Sequence, residues 1–123
     1  MSDLSLVSVI DDDESVRESL PDLLRGFGFA ARAFSSAEEF LVSGCIDQTR
    51  CLILDIAMPG MNGTELQEEL MRRHEDIPII YITAQGDPAV RLRVIEQGAV
   101  ECLFKPFSDS ALLNALNLAL RVG

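Results

Sequence analysis

Four short apolar runs in this chain each stop at a residue able to do chemistry. Val7-Ser8-Val9-Ile10 runs into Asp11-Asp12-Asp13, and Cys51-Leu52-Ile53-Leu54 into Asp55. Ile79-Ile80-Tyr81-Ile82 ends in Thr83, and a run holding Val100, Cys102, Leu103 and Phe104 ends in Lys105, the only lysine. Helix-length segments separate the runs, which is the pattern of a parallel α/β sheet covered on both faces. Strand carboxyl ends in such a sheet share one edge, and ligands bind there. Carboxylates, a hydroxyl and one ammonium are thereby delivered to one place.

The intervening segments read as helices. Leu6–Ile10 leads into a helix with Val16, Leu20, Leu23 and Leu24 on one face, capped by Asp13 and ended by Gly26 and Gly28. Pro21 falls inside it and predicts a kink or irregular turn. A second strand, Phe29–Phe34, precedes a short helix through Leu41, for which Ser36 and Glu39 are a capping-box signal. Met58 to Gly63 is a loop and Thr64–His74 the third helix, with His74 placed to stabilise its C-terminal dipole. Asp87-Pro88 opens a fourth helix that Gly98 stops, and Ser108 caps a final helix carrying Leu112, Leu113, Leu116 and Leu120.

Composition narrows the class. A chain of 123 residues, 48% hydrophobic, fits one ordered domain, residues 1–123, without linker or low-complexity segment. No apolar stretch approaches a membrane span, and no basic, apolar leader signals export. Cys45, Cys51 and Cys102 lack metal-ligand spacing, and Cys51 and Cys102 read as small core residues, which fits a cytoplasmic location. The net charge of −10 opposes direct nucleic-acid binding. Arg72-Arg73 and Arg91/Arg93 read as solvated helix faces.

The clustered acids need a cation. Two carboxylates ~4 Å apart repel by roughly 4 kcal/mol at an effective dielectric of about 20. Asp11, Asp12 and Asp55 must then raise their pKa values or recruit a positive charge, and Lys105 alone cannot neutralise all three. A hard divalent ion with oxygen ligands does better, and Mg2+ suits a site with few protein ligands. Lys105 and Thr83 make sense if a phosphoryl group arrives beside the metal. Asp55 is the candidate acceptor, because aspartate can form an acyl phosphate and in-line transfer needs positioning more than a base.

Each residue alone has an ordinary explanation. Asp13 is a helix cap, Asp11 or Asp12 a loop acid, and Thr83 a turn cap. Asp55 is harder to dismiss, since an acid after four apolar residues is costly to bury without a partner. Two other classes compete. A phosphatase with an aspartate nucleophile would want a second acid two residues after Asp55, where Ala57 stands. A scaffold that is never phosphorylated would have no need of all four strand-end residues.

With these residues assembled, the chain resembles the receiver domain of two-component response regulators, over about Leu4 to Arg121. The matches are Asp11-Asp12-Asp13, Asp55 with Met58-Pro59-Gly60-Met61-Asn62-Gly63, Thr83-Ala84, and Lys105-Pro106-Phe107. The segments Phe34 to Leu41 and Ile82 to Asp87 look like the FixJ-type branch. The resemblance implies a flavodoxin-like, doubly wound, five-stranded parallel sheet of order 2-1-3-4-5 with five helices. It implies phosphorylation of Asp55 by a sensor histidine kinase or phosphotransfer protein. It further implies Mg2+ held by Asp12, Asp55 and the Ala57 carbonyl, with Asp11 acting largely through water. Thr83, the Ala84 N–H and Lys105 would hold the phosphoryl group, Ala57 and Gln85 would border the path of an attacking water, and the Lys105–Pro106 bond would be cis.

One position departs from the family pattern. Receivers usually place Tyr or Phe three residues before the lysine, and here that residue is Cys102, which cannot report an aromatic swing. Phe104 shares its strand face on simple alternation, so Thr83, Cys102 and Phe104 are the candidate switch residues. The output surface would be the fourth helix, fifth strand and fifth helix, read by a downstream effector, a fused output domain or a second copy. The chain stops just after the last helix, as a stand-alone receiver or a truncated regulator would.

Overall fold

Alternating apolar runs and amphipathic segments build five strands and five helices in turn. The computed structural model describes residues 4–84 and 86–122. In chain order they form β1 (Leu6–Ile10), α1 (Glu14–Gly26), β2 (Ala30–Phe34), α2 (Ala37–Val42), β3 (Thr49–Asp55), α3 (Gly63–Arg72), β4 (Ile79–Thr83), α4 (Pro88–Glu96), β5 (Glu101–Phe104) and α5 (Asp109–Val122). All strand pairs are parallel, in the order β2-β1-β3-β4-β5. The expected flavodoxin-like architecture is therefore borne out, and a short 3-10 turn at Ile46–Gln48, unseen in the sequence, leads into β3.

The sheet separates two cores. On one face Leu20 and Leu24 of α1 and Leu112, Ala115, Leu116 and Ala119 of α5 pack on Val7, Val9, Ile53, Ile80 and Ile82. On the other, Phe40 of α2, Leu66 and Leu70 of α3 and Val94 of α4 cover Ile10, Leu52, Leu54 and Tyr81. Successive strand residues point to opposite faces, so β3, buried on both, is apolar without interruption from Cys51 to Leu54. Asp55 ends this run, still buried, at the carboxyl end of the strand.

Several local expectations need adjustment. α1 runs unbroken through the buried Pro21, with no irregular turn. Ser36 does accept the Glu39 N–H at 3.0 Å, but the Glu39 carboxylate returns to Ser35, to its N–H at 3.1 Å and its hydroxyl at 3.2 Å. The reciprocal capping box instead stands at α3, where Asn62 accepts the Glu65 N–H and Glu65 accepts the Asn62 N–H, both at 2.9 Å. His74 lies beyond α3 at φ 60. Its N–H reaches the Met71 carbonyl and that of Glu75 reaches Leu70, so it occupies the left-handed position of a Schellman ending usually given to glycine. Arg91 is no merely solvated residue, because it pairs with Glu101 of β5 at 2.7 Å, whereas Arg72 and Arg73 both pair with Glu69.

Candidate functional site

Asp11 organises the charges at the carboxyl edge of the sheet. Its N–H donates to the Phe34 carbonyl at 3.1 Å, which extends the β1–β2 ladder by one step, and its side chain is fully buried. A buried carboxylate needs partners on both oxygens. Oδ1 accepts the Asp13 N–H at 2.9 Å, and Oδ2 accepts from the Lys105 ammonium at 2.8 Å. Lys105 is held in reach because its own N–H donates to the Thr83 carbonyl at 2.8 Å. The following bond to Pro106 is cis, as the resemblance implied.

Asp55 sits between these partners. β3 adjoins both β1 and β4, with Asp55 opposite Ile82. The oxygens of Asp11, Asp12 and Asp55 lie within 4.8 Å of one another, with Asp12 exposed to solvent and the other two buried. Burial pushes the Asp55 carboxyl up, as do the negative Asp11 and, more weakly, Asp12, and the opposing Lys105 charge leaves it at about 7. Burial alone would pull Lys105 down, but its bond to Asp11 and the charges of Asp11, Asp55 and Asp13 raise it above the ordinary lysine value. Three acids against one ammonium leave an all-oxygen donor set with surplus negative charge. That set fits a hard divalent cation such as Mg2+.

Asp11, Asp12, Asp55 and Lys105 are thus brought together, with Thr83 beside Lys105 at the end of β4. Thr83 is 4% exposed, while Ala84 and Ala57, on the loops after β4 and β3, are exposed. Gln85 lies outside the described residues. Among the cysteines, Cys51 is a core thiol pushed up to about 12 by burial, and Cys102 is raised by burial and by Glu101.

The candidate switch positions have a definite register. Tyr81 of β4 faces Cys102 of β5, and Thr83 faces Phe104. Phe104 packs on the same core face as Cys102, and its ring lies 3.9 Å from where a Cβ on Gly86 would stand. Tyr81, opposite Cys102, is fully buried, and its hydroxyl donates to Gln67 Oε1 at 2.6 Å and lies 3.2 Å from the Gly63 carbonyl. Gln67 in turn donates to the Gln97 carbonyl at 3.0 Å.

Sequence reasoning missed the supports behind the acids. Gly63 lies so close to the end of β3 that a Cβ would meet the Asp55 carbonyl oxygen at 2.7 Å, the Tyr81 ring at 2.9 Å and the Ile56 Cα at 3.1 Å. Glu38, on α2, accepts the Met61 N–H at 3.0 Å and ties that helix to the loop after Asp55. The Asn62-x-x-Glu65 pattern could have located the start of α3, but nothing local could have paired Glu38 with Met61.

Known proteins resemble this chain in sequence and fold. The family model of the response regulator receiver domain matches residues 7–117. Nodulation protein W of Bradyrhizobium diazoefficiens is 46% identical over 112 residues, which covers 91% of this chain and 49% of that protein. A structure of response regulator StyR matches with a TM-score of 0.88 at 46% identity, over 97% of this chain and 60% of that one. The crystal structure of FixJ-N matches with a TM-score of 0.84 at 36% identity, over 98% and 96%, in keeping with the FixJ-like segments. The chain spans about half the length of the curated relatives it matches. With the strand order, the acid cluster and the matched residues in agreement, the chain belongs to the response regulator receiver family, signalling domains governed by a phosphorylation switch.

Proposed function

We propose that Asp55 accepts a phosphoryl group from a sensor histidine kinase or phosphotransfer protein. The carrying observation is the placing of Asp55 beside two further acids and Lys105 at the edge of the sheet. A carboxylate oxygen of Asp55 forms the new bond to phosphorus. The bond from phosphorus to the donor imidazole nitrogen breaks, and that nitrogen keeps the electron pair. Receivers bind Mg2+ at an acidic pocket, and here Asp12, Asp55 and the Ala57 carbonyl would hold it, with Asp11 behind through water. When bound, the ion offsets negative charge on the phosphoryl oxygens. The Asp55 carboxyl, near 7 in the metal-free protein, reaches its reactive ionised form more readily as positive charge arrives.

The remaining residues bind and sense. Lys105 shares its ammonium between Asp11 and the incoming phosphoryl oxygens, the Ala84 N–H donates to one of them, and the Thr83 hydroxyl is drawn toward another. Motion of Thr83 is passed to its neighbour Phe104, while Cys102 has no ring to swing and Tyr81 is tethered at its hydroxyl. The shift biases an existing equilibrium at the surface of α4, β5 and α5. A downstream effector, an output domain or a second copy of the chain reads that surface. In this reading residues 1–123 form one receiver domain, cytoplasmic, without membrane or direct nucleic-acid contact.

Incubation with Mg2+ and acetyl phosphate or phosphoramidate, followed by intact mass measurement, tests the proposal. The expected result is a gain of one phosphoryl group, lost on chelation and in Asp55→Asn. Steady turnover of an unrelated phosphomonoester would mark a phosphatase instead. Absence of modification in either assay would leave a scaffold.

A further inference from the structure

We infer that Glu38 is a positioning residue for the loop that carries Ala57, acting through the Met61 amide. The inference rests on the reading of Asp12, Asp55 and the Ala57 carbonyl as metal ligands. Glu38 is the second residue of α2 and is exposed, while its neighbours Ala37 and Phe40 turn into the core. Its Oε2 accepts the Met61 N–H at 3.0 Å across 23 residues of chain. It also lies over the turn itself, since a Cβ on Gly60, at φ +74, would stand 2.8 Å from the same oxygen.

The loop's ends are secured in other ways. Met58 is buried in the core, the Gly63 N–H donates to the Ile56 carbonyl at 3.0 Å, and the Asn62 N–H donates to Glu65 at 2.9 Å. Between them Pro59 and Gly60 are exposed and Met61 is half-buried against the core, and among the described residues the Met61 N–H ties this stretch to Glu38 of α2 by a hydrogen bond. A carboxylate accepting from an amide is a strong, directional tether. Residues behind a metal's direct ligands set ligand orientation, and their loss weakens metal binding. Cutting this tether loosens the turn at 59–61 that follows directly on Ala57 and Met58, and so weakens the hold on the Ala57 backbone.

Calorimetric titration of Mg2+ into the full chain tests this in wild type, Glu38→Ala and Glu38→Gln, with amide exchange at Met61 and melting curves alongside. Glu38→Ala is expected to weaken Mg2+ binding roughly three- to tenfold, the effect of one lost hydrogen bond, and to speed Met61 exchange. Glu38→Gln keeps an accepting carbonyl and is expected to recover most of both. Glu38→Ala binding Mg2+ as wild type does, with or without a lower melting temperature, overturns the inference by leaving Glu38 only a helix-terminus charge. So does a Gln variant as weak as the Ala variant. A wild type that binds no Mg2+ and is not modified at Asp55 overturns the proposed function, and this inference with it. A wild type that passes both, with unmoved Glu38 variants, overturns the inference alone.

Discussion

Lys105 Nζ stands 2.8 Å from Asp11 Oδ2, although β3 and β4 separate their two strands in the sheet. The pair therefore closes the carboxyl edge over the strands that carry Asp55 and Thr83. Asp11 is fully buried and the Lys105 side chain 22% exposed. Lys105→Ala leaves the Asp11 carboxylate without its cation and should cost about 2 kcal/mol in urea unfolding, less than a fully buried pair because lysine keeps some solvent. The variant should fold and accept phosphoryl slowly, without the amide-exchange changes that phosphorylation produces at α4 and β5. Exchange changes identical to those of wild type would count against the assigned role.

Asp55 makes stability depend on pH with a definite sign. Its carboxyl is raised from 3.8 to about 7 on folding, so between those values the folded state holds a proton the unfolded state has lost. Stability must then fall as pH rises from about 4 to about 7, and the full cost stands above that. Asp55→Asn removes it, so in metal-free buffer at pH 8 the variant should melt several degrees higher, for roughly 2 kcal/mol or more. At pH 4 the difference should nearly vanish. An equal gain at both values would show that the Asp55 carboxyl is not raised on folding.

Gly63 permits the close approach of α3 to the end of β3. Adding a methyl group there brings it to 2.7 Å from the Asp55 backbone oxygen, where no flexible side chain can yield. Gly63→Ala should destabilise by about 2 kcal/mol or more, as an overpacked site does. It should also slow phosphorylation by displacing the acceptor, and urea midpoints with intact mass time courses check both effects.

Tyr81→Phe isolates the hydrogen bond that ties β4 to α3. The change removes the donor to Gln67 Oε1 and keeps the ring, so the loss should be about 1–2 kcal/mol. Burial holds the Tyr81 phenol well above the ordinary tyrosine range, so the bond should persist to alkaline pH. Phosphorylation at Asp55 should proceed as in wild type, because the hydroxyl faces α3 rather than the acids. A slowed reaction would show that Tyr81 belongs to the site.

Much of this was legible because each strand end is marked by an abrupt change from apolar to reactive residues. Asp11, Asp12, Asp55, Thr83 and Lys105 could be placed on one edge from parallel topology alone. Contacts made across the fold were not visible. Glu38 and Met61 meet only when α2 and the β3–α3 loop are packed together, and Tyr81 is seen to stand opposite Cys102 only once the β4–β5 register is known. The Ser36 cap was found, but Glu39 turned to Ser35, a choice of neighbouring donors that spacing cannot resolve. His74 takes a backbone position that favours glycine, so the usual mark of that helix ending was missing from the sequence.

The proposed switch requires the phosphoryl group to sit on the carboxylate of Asp55. Borohydride reduces an acyl phosphate to the alcohol, so treating the phosphorylated chain and sequencing its peptides by mass locates the modified residue. Homoserine is expected at position 55, with aspartate retained at 11, 12 and 13. Homoserine at any other position, or a phosphoryl group that survives reduction, would contradict that placement.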